Sequence, residues 1–413
     1  MSETTETSAT PLTFPREGLP RVIETTHDLR RAADALRNGT GPVAIDAERA
    51  SGYRYSSRAY LIQVRREGAG TFLIDPTYVE DMTPLSEVIN PIEWILHAST
   101  QDIGCLVEVG LEPTALFDTE LAGRLLGRPK VGLGSLLETD LNVSLAKEHS
   151  AADWSTRPLP EPWLIYAALD VELLIELREL QKAELIERER WHWAEQEFAY
   201  LTSWRPPTQR DEPWRRTSGI HTVRKPEQLA IVRELWQLRD QIARDKDKAP
   251  GRVLPDLAII DIAKKDLKTA RDVFKLDSLR NRSHKALADT WWDARVRAMS
   301  DPHPPSASPK GTVLPPPKAW AEKNPEAAQR WDAVRPAINA FAEALDIAPE
   351  LIVSPDIVRR LCWEGGSRLR DAAELRDWLI DQGCRPWQID LITDVITQSA
   401  AELASAHAIE DSN

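Results

Sequence analysis

Four carboxylates and a tyrosine in the first half of the chain could act together. Asp46 and Glu48 stand two apart in Ala44-Ile45-Asp46-Ala47-Glu48, at the end of an apolar run. On a strand, residues i and i+2 share one face. Two acids on one face repel each other unless a cation lies between them. Asp102 follows Leu96-His97-Ala98-Ser99-Thr100-Gln101, where a strand-like run gives way to a helical one. Tyr166 and Asp170 lie four apart in Trp163-Leu164-Ile165-Tyr166-Ala167-Ala168-Leu169-Asp170-Val171, so a helix points both the same way. Four acids converging on one sheet edge would suit hard divalent cations: Mg²⁺ and Mn²⁺ prefer oxygen ligands and are often completed by substrate phosphates. Each pair also has a plainer meaning. An Asp-x-Glu at a strand end is usually a solvated edge, and a Tyr-x-x-x-Asp is usually packing plus a surface charge. Their order favours one shared site, because each stands beside an apolar run at intervals that suit a single sheet domain.

The elements that must position these residues are legible around them. Pro42-Val43-Ala44-Ile45 leads a strand. Tyr60-Leu61-Ile62-Gln63-Val64 and Thr71-Phe72-Leu73-Ile74 flank Glu67-Gly68-Ala69-Gly70, which reads as a hairpin turn. Trp94-Ile95-Leu96-His97 is a further short strand, and helical patterns cover 28–37, 101–109, 119–126 and 163–190. Strands followed by alternating helices and strands predict a mixed sheet with helices packed on it.

The net charge of −13 argues, taken whole, against a protein that coats nucleic acid. Divided along the chain it says something else. Residues 1–214 hold 21 Lys+Arg against 35 Asp+Glu (net −14), residues 215–300 hold 20 against 12 (net +8), and residues 301–413 hold 11 against 18 (net −7). Eight prolines between Asp301 and Pro325 read as a semi-rigid linker, and Pro206, Pro207 and Pro213 mark a shorter break. The expected organisation is a disordered tail over 1–18, a catalytic unit over 19–205, a linker over 206–216, a helical unit over 217–299, a Pro-rich linker over 300–325 and a last helical unit over 326–408. Three cysteines are too few and too far apart for a disulfide framework or a Cys-based zinc site. The eight histidines show no metal-ligand spacing. With no apolar run of about 18 residues and no basic leader, a cytoplasmic enzyme or binding protein is expected.

In this arrangement residues from about 20 to 200 resemble the ribonuclease D group of 3′–5′ exonucleases, the tyrosine variant of the four-acid proofreading-exonuclease superfamily. The matching motifs are Asp46-Ala47-Glu48, Leu96-His97-Ala98-Ser99-Thr100-Gln101-Asp102 and Tyr166-Ala167-Ala168-Leu169-Asp170-Val171. Phe117-Asp118-Thr119, Lys147, Asp153-Trp154 and Arg157-Pro158-Leu159 match as well. Ala47 departs from the Thr common in the family; its side chain should face away from the acids. The resemblance implies an α/β architecture: a ribonuclease H-like mixed-sheet exonuclease domain followed by one or two all-α HRDC-type helical domains. It also implies hydrolysis of RNA 3′ ends, such as those of tRNA precursors, with two divalent cations. Asp46 would bridge the cations, Glu48 and Asp170 would complete the nucleophile-side site, Asp102 would hold the second cation, and Tyr166 would orient the attacking water. A DNA exonuclease on the same fold and a non-catalytic nucleic-acid-binding scaffold remain as alternatives, and the oligomeric state stays open with a monomer favoured.

Residues 217–299 resemble the helicase-and-ribonuclease-D C-terminal (HRDC) domain. The matches are 235–244, Ala249-Pro250-Gly251-Arg252-Val253-Leu254-Pro255-Asp256 and Ile260-Asp261-Ile262-Ala263, without the proline that commonly follows the last. The basic excess there nominates Lys264, Lys265, Lys268 and Arg271, at near-helical spacing, and Arg280, Arg282 and Lys285 as nucleic-acid-binding residues, against the plainer reading of a solubilising surface. Trp291 and Trp292 could stack on bases, with core packing of at least one expected. Lys147 could contact a substrate phosphate or be a surface lysine. His97 reads as a neutral, hydrogen-bonded residue beside the site, Asp118 as a helix cap or a support for it, and Trp154 as a core residue. The last unit, helical and acidic, is expected to be HRDC-like, packed against the catalytic domain and shaping access to it.

Overall fold

The computed structural model describes residues 9–79, 81–145, 152–206, 211–306 and 314–410. Among the described residues, eight strands form two sheets. β1 (Thr10–Leu12) and β8 (Val143–Leu145) pair in parallel. The main sheet has the order β2-β5-β4-β3-β6-β7, built from β2 (Val22–Ile23), β3 (Thr40–Arg49), β4 (Ala59–Glu67), β5 (Gly70–Ile74), β6 (Glu93–Leu96) and β7 (Ala115–Asp118). The pairs β3/β4 and β4/β5 are antiparallel and the other three are parallel, so the sheet is mixed, as expected.

Alternation along β3 divides its side chains between two layers. Val43, Ile45 and Ala47 point into the larger core with Ile62, Val64 and Ile74. They meet α1 (Thr26–Asn38), whose Leu29, Ala32, Ala33 and Leu36 recur at helical spacing. Ala44 lies on the opposite face with Ile95, Val171 and Leu174. Leu61 and Leu73 meet Ala167 and Ala168 on that side. This second face is covered by α6 (Glu161–Glu172) and α7 (Leu174–Glu187). The remaining helices of the unit are α2 (Thr83–Ile89), α3 (Ile103–Val107), α4 (Thr119–Leu125), α5 (Leu133–Leu141) and α8 (Trp191–Ser203).

Part of the expected tail is ordered. Residues 10–12 form β1, and Arg16 follows with a 3.0 Å ion pair to Glu176 and a backbone N–H aimed at Glu172. Backbone pairing with β8 supplies hydrogen bonds that composition does not advertise.

The middle unit comprises α9 (Pro226–Asp245), α10 (Pro250–Val253), α11 (Asp256–Lys264), α12 (Ala270–Phe274), α13 (Arg282–Lys285) and α14 (Ala288–Met299) around its own core. Trp214 is buried in that core, so it begins inside the segment expected to be linker. Trp291 is buried there and Trp292 packs at its margin. The last unit comprises α15 (Trp320–Lys323), α16 (Pro325–Ala344), α17 (Pro349–Ile352), α18 (Pro355–Glu364), α19 (Ala372–Asp381) and α20 (Pro386–Glu410). Trp320, expected in the Pro-rich linker, is fully buried against Trp331 and Trp363, so that linker ends earlier than its prolines suggest.

The last unit shares one continuous core with the catalytic unit. Trp193 of α8 stacks on Trp387 of α20 with ring centroids 5.1 Å apart. The buried Glu197 carboxylate accepts two bonds from Arg385 (2.6 and 2.8 Å) and one from the Trp387 indole (2.8 Å). Among the described residues no helix is long and apolar enough to cross a membrane.

Candidate active site

β3 is central in the sheet, flanked by β4 and β6, and it carries Asp46 and Glu48 on the face covered by α6. α6 starts after Pro160 with Pro162 in its first turn, a position that needs no amide donor, and presents Tyr166 and Asp170 one turn apart. Carboxylate oxygens of Asp46, Glu48 and Asp170 all lie within 4.8 Å of one another. The Tyr166 hydroxyl donates a hydrogen bond to Asp170. Its ring rests near the fully buried Trp154, 6.4 Å between centroids, and Trp154 in turn packs on Trp163. Trp154 is therefore a core residue that backs the tyrosine.

Asp102 arrives by a different device. After β6 the chain passes through Ala98, at φ 57°, into a short 3₁₀ turn, Ser99–Gln101, and Asp102 opens α3. A left-handed alanine costs roughly 1–2 kcal/mol. The Asp118 carboxylate offsets that cost by accepting from the backbone N–H of Ala98 (3.2 Å) and Ser99 (2.8 Å) while capping α4 through Glu120 (2.9 Å) and Leu121 (3.1 Å). Asp118 thus both caps a helix and holds the turn before Asp102. His97 is anchored with Nδ1 2.9 Å from Thr119 Oγ1, and burial lowers its pKa, which favours the neutral ring. Ala47 lies in the opposite core, away from the acids, as expected.

The structure groups three of the four expected acids and gives the fourth a separate partner. Asp102 is buried and pairs with Arg49, Nη2 to Oδ1 3.3 Å. Burial raises the proton affinity of every member of the group. Glu48 is pushed up to about 10, by burial first and then by Asp46, Asp170 and Asp102. Asp170 and Asp102 rise well above the ordinary carboxylate range through burial and the Asp46 charge, and Asp46 rises through burial. Tyr166 is raised by burial and by the Asp170, Glu48 and Asp46 charges, so its hydroxyl stays protonated.

Such crowding is unfavourable without a counter-charge, and the surroundings fit a divalent cation. The donors are all oxygen. Directly opposite Asp46 on β4 stands Gln63, fully buried, with neither amide atom hydrogen-bonded among the described residues. A hydrated cation would satisfy both the carboxylates and that amide. Arg49 and Gln63 escape a reading of the sequence. Strand alternation assigns Arg49 to the other face, and the position of Gln63 depends on the β3/β4 register.

The basic residues of the middle unit are arranged otherwise than their spacing suggests. Lys264 ends α11 and Arg271 lies on α12, with Lys265 and Lys268 between the two helices, so the four do not share one helix face. Lys265 pairs with Asp261 at 3.0 Å and Lys268 with Asp266 at 2.6 Å. Lys285 lies over the Phe274 ring at 5.3 Å, Arg282 opens α13, and Arg280 precedes it. Lys147 lies outside the described residues.

Comparison with known proteins bears on this arrangement. A 3′–5′ exonuclease model matches residues 20–185, the HRDC domain model matches 228–294, and a 3′ to 5′ exonuclease C-terminal domain model matches 313–400. Ribonuclease D of Jannaschia sp. is 32% identical over 351 residues, spanning 81% of this chain and 87% of its own. The chain belongs to the ribonuclease D family of 3′–5′ exoribonucleases. A crystal structure of a protein from Bifidobacterium adolescentis is 37% identical to this family member. It covers 95% of this chain and 99% of its own at a TM-score of 0.85. Escherichia coli RNase D shares the fold, with a TM-score of 0.65 at 21% identity over 93% of this chain and 99% of its own. The mixed sheet of this ribonuclease D relative is the ribonuclease H-like exonuclease core, followed by helical units. Use of divalent metal is general for that core. The last unit, expected to be HRDC-like, is the part that matches the exonuclease C-terminal model.

Proposed function

We propose that this ribonuclease D family member trims RNA 3′ ends, including those of tRNA precursors, in the cytoplasm, using two Mg²⁺ or Mn²⁺ ions. The observation that carries the reading is the convergence of Asp46, Glu48 and Asp170 within 4.8 Å, with Tyr166 bonded to Asp170. Asp46, Glu48 and Asp170 would hold one ion, and Asp46 with Asp102 the other. Bound there, the ions supply a water of lowered pKa and neutralise charge building on the phosphate.

The chain's own groups do the positioning. The Tyr166 proton is committed to Asp170, so the phenolic oxygen offers a lone pair to the attacking water. With its pKa raised, Tyr166 orients that water and does not deprotonate it. Trp154 backs the tyrosine ring and Trp163 packs against Trp154 in turn. Water adds to phosphorus, the bond to the 3′ oxygen of the preceding nucleotide breaks, and the products are a nucleoside 5′-monophosphate and RNA one residue shorter with a free 3′-hydroxyl.

Purified protein with Mg²⁺, given matched 5′-labelled and 3′-labelled RNA and DNA oligomers, tests polarity and substrate together. The expected result is a descending ladder from 5′-labelled RNA and immediate release of labelled mononucleotide from 3′-labelled RNA, with EDTA abolishing both. Faster degradation of the DNA would assign the same chemistry to the other nucleic acid.

A further inference from the structure

We infer that Arg49 is a phosphate-binding residue of the active site, parked on Asp102 in the substrate-free protein and released to the scissile phosphodiester when a cation takes Asp102. The inference rests on the two-cation reading above and adds to it a residue of the chain that changes partner during loading.

The local backbone explains why an arginine reaches the site at all. Arg49 follows Glu48 directly, and in an unbroken strand it would face the core that holds Ala47 and Ile45. The β3/β4 pairing shifts there. Glu48 pairs with Leu61, but Arg49 pairs with Ala59, which leaves Tyr60 as an extra residue on β4. Such a bulge bends the ladder and re-aims the side chains beside it. The Arg49 guanidinium meets Asp102 at 3.3 Å, with its own side chain 29% exposed and that of Asp102 7%. Its charge also acts on Asp46 and Glu48. Among the described residues, no other Lys or Arg forms an ion pair with any of the four acids.

Charge accounting then assigns the role. Four ionised carboxylates balance two divalent cations, so the loaded site without Arg49 would have no surplus positive charge for the anionic phosphodiester. Arg49 supplies one. A divalent cation at Asp102 competes with the guanidinium for the carboxylate and repels it, which weakens the 3.3 Å pair. A cation at Asp102 therefore frees the guanidinium. The stem of Arg49, fixed beside Glu48, keeps that guanidinium at the cluster, and a planar fork of donors matches phosphate oxygens.

The test uses the full-length protein and the substitutions Arg49→Met and Arg49→Lys, with circular dichroism confirming that both fold. Mn²⁺ binding without RNA is measured by electron paramagnetic resonance of the free ion. Affinity for a single-stranded RNA oligomer with a non-bridging sulfur at its last phosphodiester is measured in Ca²⁺. Wild-type protein should bind one Mn²⁺ tightly and a second more weakly. Arg49→Met should tighten the second site by about tenfold and weaken RNA binding by about 10–100-fold, the size expected of a hydrogen-bonded charged pair. Arg49→Lys should recover part of both. A Met variant whose second Mn²⁺ site is unchanged would overturn the parking on Asp102. One that tightens Mn²⁺ but binds RNA normally would reduce Arg49 to a counter-ion and overturn the phosphate role. Wild-type protein that degrades RNA with one Mn²⁺ bound at saturation would contradict the two-cation reading itself, a failure distinct from the other two.

Discussion

At the scale of single residues the site is built at the expense of stability. Three carboxylates share a buried space, and burial and mutual repulsion raise their proton affinities. Asp46→Asn should therefore stabilise the metal-free protein, by roughly 1–2 kcal/mol, and abolish the rise in melting temperature that Mg²⁺ or Mn²⁺ gives the wild type. Thermal melts with EDTA and with each cation measure both effects. An Asn variant that melts lower than wild type in EDTA would mean that the carboxylate has a structural partner. Tyr166→Phe keeps the ring beside Trp154 and loses the bond to Asp170. It should lower kcat by about 10²-fold with little change in KM, as expected for a group that orients the nucleophile. A rise in KM at constant kcat would place the hydroxyl in ground-state binding. The pairs Asp46/Glu48 and Tyr166/Asp170 were legible in the sequence because their spacings follow strand and helix periodicity, whereas Asp102 was nominated by the motif before it and is placed by the turn through Ala98. Arg49 was not legible, because its direction comes from a bulge created by Tyr60 on another strand.

At the scale of elements, two connections position the chemistry. Asp118 binds four backbone N–H groups and ties the start of α4 to the turn before Asp102. Asp118→Ala leaves buried donors unpaired and should cost about 2–4 kcal/mol, with turnover falling further than stability alone explains. Urea titration alongside steady-state kinetics separates the two effects. The second connection is the segment after β3. The middle unit grips it through Ala249 N–H to the Tyr53 carbonyl (3.0 Å), Arg252 Nε to the Gly52 carbonyl (2.7 Å) and the Tyr55 hydroxyl to Asp240 (3.0 Å). Removing residues 217–299 should raise KM for RNA and flatten its salt dependence. It should also lower kcat, because the segment it releases leads directly from Arg49; unchanged kcat would show that the grip is without catalytic consequence. The strands and the hairpin were readable from alternation and turn chemistry, as were α1 and α4. β1 and β8 were not, since short parallel pairing leaves almost no local signature. The spread of Lys264, Lys265, Lys268 and Arg271 over two helices and a connection was hidden for a related reason: spacing alone does not show where a helix stops.

At the scale of the molecule, the charge of −13 combines opposite tasks. Acidity in the first unit includes the carboxylate cluster of Asp46, Glu48 and Asp170, which fits a cation, and the positive excess lies in the middle unit. The acidic last unit is joined to the catalytic one through a common core, in which Glu197 receives Arg385 and Trp387. Those residues are about 190 positions apart in sequence, a separation no periodicity bridges. Glu197→Ala leaves both partners unsatisfied and should destabilise the shared core by about 3–5 kcal/mol. Asp46 is the common member of the group, its charge acting on Glu48, Asp170 and Asp102 alike. The most direct measurement is the rate at which folded Asp46→Ala and wild-type protein shorten a 5′-labelled RNA in Mg²⁺. The wild type should give a one-nucleotide ladder, and the variant a rate at least about 10³-fold lower. A variant that retains its fold and shortens the RNA within tenfold of the wild-type rate would contradict a catalytic role for Asp46.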